Sequence, residues 1–418
     1  MYNTKLNYNG EPCTWRHVST VRGQDLGNLP QKCGKAPSAE PTLLFFTGIG
    51  LGSCNQADKD SKYITVNVNE NYPEKELVLQ DFMDVEYIPL ETTDEFITQG
   101  AILSIGDKYI LIKNYVNDGN IYVFDRKTGK GIRKINRKGQ GGEEYAFIVS
   151  AALDEDNEEI FVNSTKKILV YDLSGNFKRS FNTADDADYM DVFNYDKNNL
   201  ICYDMTVYYR DGEEKEKEFY HSIISKQDGS VTRGISIPFK TVKAPFVRQG
   251  DVIAAIPVRA LIPCQDNWLL VETSSDTIYS YRPDKNLLSP FIVRQSSGEP
   301  DVLITMGPVT DRYYFFKKIE KKFDFSKGNG FPTTDLMYDK EEDSFFEPVI
   351  FNADYINKQE VNVTENVGNG DVATYQNLAA DRLVEAYADN KLKSPLKEIA
   401  EKLNEESNPV VMLIKYKK

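Results

Sequence analysis

A short unit recurs along this chain: a polar turn rich in Asp, Asn or Gly, followed by a run of apolar and aromatic residues. It reads Ser-Ile-Gly-Asp-Lys-Tyr-Ile-Leu-Ile at 104–112 and Leu-Asp-Glu-Asp-Asn-Glu-Glu-Ile-Phe-Val at 153–162. It returns as Asn-Tyr-Asp-Lys-Asn-Asn-Leu-Ile-Cys-Tyr at 194–203, Pro-Cys-Gln-Asp-Asn-Trp-Leu-Leu-Val at 263–271 and Pro-Val-Thr-Asp-Arg-Tyr-Tyr-Phe-Phe at 308–316. The last copy, Asn-Pro-Val-Val-Met-Leu-Ile-Lys-Tyr, stands at 408–416. Turn residues beside β-branched and aromatic runs read as strands. Each of the first five copies is followed by a strand, a tight turn and another strand, clearest at 121–135 and 168–181. Aligning Asp125, Asp172, Ser225, Tyr281 and Asp339 across these gives spacings of 47, 53, 56 and 58. A repeat of about 50 residues built from four short strands is a propeller blade.

Six copies predict an all-β chain folded as a six-bladed β-propeller. The sixth copy ends after one strand, so its partners must come from elsewhere. The apolar stretches 63–68 and 85–91 are expected to supply them, so that strands from the two ends of the chain share and close the last blade. Residues 375–406 break the pattern. Leu378, Leu383, Ala386 and Tyr387, then Leu396, Ile399 and Leu403, recur at helical spacing. This predicts a helical insertion before the final strand, with Ser394 as N-cap and Pro395 at the first helical position.

The first 62 residues read differently. Leu-Leu-Phe-Phe-Thr-Gly-Ile-Gly-Leu-Gly-Ser-Cys at 43–54 is too short to span a bilayer but matches a secretory h-region. Leu51-Gly52-Ser53-Cys54 resembles a bacterial lipobox, which implies cleavage before Cys54 and lipidation of its thiol. Residues 1–41 show no strand or helix period and are read as an artefactual or unstructured leader. The expected organisation is leader (1–41), signal and lipobox (42–53), tether (54–62) and one propeller (63–418).

Charge narrows the partners. The chain carries −14, and residues 1–53 hold a net +2, leaving −16 beyond them. That balance excludes nucleic acid, whose phosphates call for Lys and Arg, and argues against an electrostatic hold on anionic lipid. A lipid at Cys54 is the expected membrane contact, in the cell envelope and on the outer membrane. Beyond Cys54 only Cys202 and Cys264 remain, too few for a disulfide framework.

Catalytic motifs are sparse. His221 is the one histidine beyond the leader, and its strand-like surroundings read as structural. There is no Gly-x-Ser-x-Gly elbow. Ser225-Lys-Gln-Asp-Gly-Ser fails the spacing of a sialidase Asp-box. The acidic run 154–159 lacks the glycine of a calcium loop and reads as a hairpin turn. No metal or cofactor is expected. The candidate ligand residues sit instead where one blade crosses to the next: Arg137, Glu144 and Tyr145, then Asp188 and Tyr189, then Arg294 and Glu299. Tyr faces against sugar rings, with carboxylates and guanidinium groups exchanging hydrogen bonds with hydroxyls, would suit a glycan.

The Gly-Gln-Gly-Gly-Glu-Glu-Tyr crossing at 139–145, followed by Ile-Phe-Val-Asn at 160–163, resembles six-bladed propeller lipoproteins common in Bacteroidetes, relatives of the NHL-like propellers. Val-Glu-Tyr-Ile-Pro-Leu-Glu-Thr at 85–92 and Asn-Pro-Val-Val-Met-Leu at 408–413 fit the same family. The resemblance implies a fold and an envelope location more than an activity. The expectation is a monomeric, non-catalytic binding or scaffold module for a glycan, a peptide or an envelope protein. The alternative is a carboxylate-dependent hydrolase or lyase working in the central funnel.

Overall fold

The computed structural model of the chain describes residues 63–295 and 301–417. Cys54, Glu299 and the expected leader, signal and tether lie outside the described residues. The chain is mostly β and forms a six-bladed propeller. The first blade is the meander Ala101–Ile105, Tyr109–Lys113, Asn120–Asp125 and Gly131–Asn136. The second runs from Ser150–Asp154 to Phe177–Asn182 and the third from Tyr189–Asn194 to Val231–Ile235. The fourth begins at Leu261–Cys264 and the fifth at Val302–Val309.

Burial explains why the second strand of each blade is the loudest repeat in the sequence. Glu159–Asn163 is buried at every residue, because neighbouring blades cover both of its faces. The outer strand Gly131–Asn136 is covered at Ile135 alone, and its sequence is accordingly polar. The aligned positions of the repeat are turn formers. Asp125 accepts from the backbone and hydroxyl of Thr128 at 2.8 and 2.6 Å, and Asp172 from the backbone N–H groups of Ser174 and Asn176, both at 2.9 Å. The glycine that follows has two tasks. Gly229 takes φ +75° to close its hairpin, and a Cβ there would meet the Phe181 ring of the preceding blade at 2.4 Å. Only glycine satisfies both demands.

The sixth blade differs from expectation. Residues 361–368 run antiparallel beside Val372–Leu378, joined by Gly368 N–H to Ala373 O (3.1 Å), Thr374 Oγ1 to Asn366 O (2.8 Å) and Gln376 Nε2 to Asn362 O (2.7 Å). Counting that irregular segment as the innermost position, Val410–Tyr416 stands third across its blade, in the middle of a sheet of three regular strands. One outer strand is missing, and Met83–Pro89 supplies it, in antiparallel register from Met83 opposite Tyr416 to Pro89 opposite Val410. The stretch 63–68 does not enter this blade. Ile64–Asn67 pairs in parallel with Leu287–Gln295 on the rim of the fourth blade, where Val66 and Val68 bury their side chains. Glu74–Val78 adds in parallel to Ser344–Asn352 on the fifth. The segment 64–89 is thus a belt around three blades.

The helical insertion begins later than its sequence suggests. Tyr375 to Leu378 still belong to a strand, and the helices are Ala380–Ala388 and Leu396–Ala400. Ser394 does not cap the backbone, since its hydroxyl donates to the Glu398 carboxylate at 2.8 Å. Leu383, Leu392, Leu396, Ala400 and Val410 form a satellite core. The insertion docks on the link between blades five and six, with Ile356 N–H donating to Lys391 O and Lys393 N–H to Asp354 O, both 2.8 Å.

The belt is riveted at Asp339, whose side chain is fully buried between Lys75 Nζ (2.8 Å) and Arg312 (2.8 Å). Burial alone would raise this carboxyl, but the hydrogen bonds from Arg312 and Lys75 outweigh it and hold the pKa at about 2. Asp339→Asn removes the buried charge that Lys75 and Arg312 share, leaving them to Glu342 and Glu341 on the surface, and is expected to cost about 2 kcal/mol in urea unfolding at pH 7. A carboxyl with a lowered folded-state pKa stabilises fully above its unfolded value near 3.9 and loses that contribution as pH falls towards 2. The gap between wild type and variant should therefore be constant above about pH 4 and close below it.

Candidate functional site

An up-and-down blade puts two kinds of loop on each rim of the ring. On one rim lie the crossings between blades and the links from second to third strands. On the other lie the tight turns from first to second and from third to fourth strands.

The crossing rim holds the sequence-predicted residues, and packing consumes several of them. Tyr145 is fully buried. Its hydroxyl donates to Gly119 O at 2.7 Å and accepts from Arg137 N–H at 3.0 Å, and burial pushes its phenol up to about 12. Arg137 Nε donates to Gly175 O at 2.8 Å and so ties the first crossing to the second blade. Glu144 closes its own turn by accepting from Gly141 N–H at 2.8 Å. Asp188 accepts from the Tyr209 hydroxyl at 2.8 Å, and Tyr189 is 2% exposed. Arg294 is buried, paired with Asp276 and lying 3.7 Å from Asp301. A cavity of about 20 Å³ beside it, lined also by Glu272, has room for about one water. The Arg137 contact joins blade one to blade two and the others brace their own links; the faces of Tyr145 and Tyr189 are not open to a ligand.

The other chemical candidates resolve simply. His221 is 1% exposed, packs at a tilt against Tyr203 with ring centroids 4.7 Å apart and lies 3.3 Å from Ala260 O; burial pulls its pKa down to about 4. The acidic run 154–159 is a hairpin in which Asp154 pairs with Glu159 across the turn and holds the buried Lys226. Cys202 and Cys264 are free thiols. Among the described residues no group of three or more His, Cys, Asp or Glu is placed to hold a metal ion.

The large cleft is on the opposite rim. It measures about 720 Å³ and lies between blades three and four, reaching the turn of blade six across the mouth of the channel. That size is in the range of small-molecule sites. Its walls are the turn 194–199, the turn 263–268, Pro283 and Asp284, and Asn369 with Gly370. Tyr195 gives it half-buried aromatic surface, backed by the Trp268 ring, which is 7% exposed and 6.3 Å away between centroids. Arg233 is held in place from behind: its Nη1 donates to the Tyr281 hydroxyl at 2.9 Å, which donates to Asn286 Oδ1 at 3.0 Å. Asn194 Oδ1 is buried without a hydrogen-bond partner. The sequence did carry a signal here. The turns at 194–199 and 263–268 are the amide-rich copies of the repeat, and the second holds Trp268.

Tyr145→Phe tests the structural role of the crossing. It leaves the Gly119 carbonyl and the Arg137 N–H unpaired in a buried place and should cost about 1–3 kcal/mol in urea unfolding with an unchanged m-value.

No curated protein matches the chain. Among solved structures, that of a presumed exported protein from Bacteroides fragilis aligns over 85% of this chain and 100% of its own, at 16% identity and a TM-score of 0.57. Virginiamycin B lyase from Staphylococcus aureus covers 80% of this chain and 100% of its own, at 10% identity and a TM-score of 0.36. The Pan2 WD40 domain of Neurospora crassa covers 76% and 92%, at 9% and 0.37. The first of these shares the fold; the other two are more remote. A family model described as DUF5128, 6-bladed beta-propeller, matches residues 55–372, and the chain belongs to that family.

Proposed function

We propose that this protein is an exported, lipid-anchored propeller of the cell envelope that works as a non-catalytic binding module, with its ligand in the cleft between blades three and four. The observation that carries this is the cleft itself: about 720 Å³ of space walled by Trp268, Tyr195, a preset Arg233 and a row of side-chain amides. Ligand sites combine an apolar surface with a few placed polar groups in this way. Glycan and peptide both fit that description. We favour the rim of tight turns over the crossing rim, where Tyr145, Tyr189 and Arg294 are buried.

The location rests on two supports. The similar Bacteroides fragilis protein is presumed exported, and Leu51-Gly52-Ser53-Cys54 has the pattern of a lipidation signal. Fatty-acid labelling of the chain in its native host should be lost in Cys54→Ala; labelling that persists would overturn the anchor.

The binding reading is tested by thermal shift of the chain against oligosaccharides and peptides. A ligand at 100 times its Kd adds about 2.7 kcal/mol to the folded state, a clear rise in Tm. The rise should saturate and should vanish in Arg233→Ala, whose own fold is checked by circular dichroism. A rise untouched by that variant would refute the cleft. Turnover of any bound glycan would instead favour the carboxylate-dependent hydrolase or lyase, with Asp266 and Asp284 of the cleft as the first residues to replace.

A further inference from the structure

The cleft's polar groups divide into those the fold has used and those it has not. Asp196 is used: it accepts from the backbone N–H groups of Asn198 and Asn199 at 2.7 and 2.8 Å. Asn199 is used as well, donating to Asp196 at 2.9 Å and accepting from Thr232 at 3.2 Å. The side chains of Gln265, Asn267 and Asn369 make no hydrogen bond, and those of Asp266 and Asp284 neither hydrogen bond nor ion pair, with any described residue. To these are added the remaining donors of Arg233.

This unspent set has a definite chemistry. Amides both donate and accept, as hydroxyl groups do. Two carboxylates against one guanidinium leave the set net negative, and Asp196 adds to the imbalance. An anionic ligand would meet like charge there. A wholly apolar ligand would cover amides and carboxylates without replacing their hydrogen bonds to water. A polyhydroxyl ligand answers the exposed groups: its O–H groups donate to Asp266 and Asp284, its oxygens accept from Arg233 and the amides, and a C–H face lies on the half-buried Tyr195. We infer that the cleft takes an uncharged saccharide and discriminates against uronate- or sulfate-bearing ones. This rests on the reading of the cleft as the ligand site.

The test is calorimetric titration of the chain with three probes: neutral xylo- and manno-oligosaccharides, oligogalacturonate, and an oligolysine peptide. Each is repeated on Asp266→Asn/Asp284→Asn, which keeps acceptors but removes charge, and on Gln265→Leu/Asn267→Leu, which removes the amides from exposed turn positions. The expected result is saturable binding of a neutral probe at least about tenfold tighter than oligogalacturonate. The gap should narrow in the double Asn variant, and all binding should weaken in the double Leu variant. If oligogalacturonate or oligolysine binds as tightly as the neutral probes, and the double Leu variant still abolishes that binding, the saccharide inference fails while the binding module stands. If no probe binds, or the double Leu variant changes nothing, the cleft is not the site and both fall.

Discussion

Everything in this structure depends on one antiparallel pairing, that of Met83–Pro89 with Val410–Tyr416. A propeller blade has both faces buried only when it has a neighbour on each side, so an unclosed ring would expose two apolar blade faces at once. The pairing is reinforced where the two segments leave it. Asn408 is 3% exposed; its Nδ2 donates to Glu91 O and Phe96 O at 2.8 and 2.7 Å, and its Oδ1 accepts from Thr98 N–H at 2.9 Å. One buried amide thus stitches the start of the third strand of blade six to the link that leads into blade one. Met83 and Ile88 complete the seal on either face of the closing strand. The belt that precedes it, pinned by Lys75 to Asp339, extends the hold to blades four and five.

Closure also decides where chemistry can occur. With the blade faces buried, polar function is confined to the two rims, and the rims are not equivalent. On the crossing rim each link has to reach the next blade, and its side chains are drawn into that task, as Arg137 is by Gly175 and Tyr145 by Gly119. On the other rim the turns close on their own backbones. Asp196 and its neighbours satisfy the turn internally, which leaves side chains such as Gln265 and Asn267 directed to nothing within the protein. The cleft is the space where four such turns converge, one from blade three, two from blade four and one from blade six.

The sequence revealed most of the fold because its main signal is physical necessity. A strand covered on both faces must be apolar, so the second strands announce themselves, and a hairpin pressed against the neighbouring blade must have glycine where Gly229 stands. The belt was less legible. Ile64–Asn67 is short, and nothing in its residues names a parallel partner more than two hundred positions away. The innermost segment of blade six was hidden because 361–368, with Asn362, Thr364, Glu365 and Asn366, has no apolar run and forms no regular strand. That displaced the count by one strand and made Val410–Tyr416 look like a second strand. The crossing residues read as a site because Tyr, Arg and Glu beside glycine suit a ligand; of them Tyr145, Tyr189 and Arg294 are buried, and Arg137 and Glu144 are exposed. The cleft escaped because it is assembled from turns distant in sequence, and only closure of the ring brings Asn369 near Trp268.

The most direct test of this account is hydrogen exchange of the whole chain, followed residue by residue. The backbone amides of Met83–Pro89 and Val410–Tyr416 should exchange only through global unfolding, at the same free energy as the buried second strands of blades one to three. If Met83–Pro89 instead exchanged early while those strands stayed protected, the ring would tolerate being open. Closure would then not be the interaction on which the fold and its cleft depend.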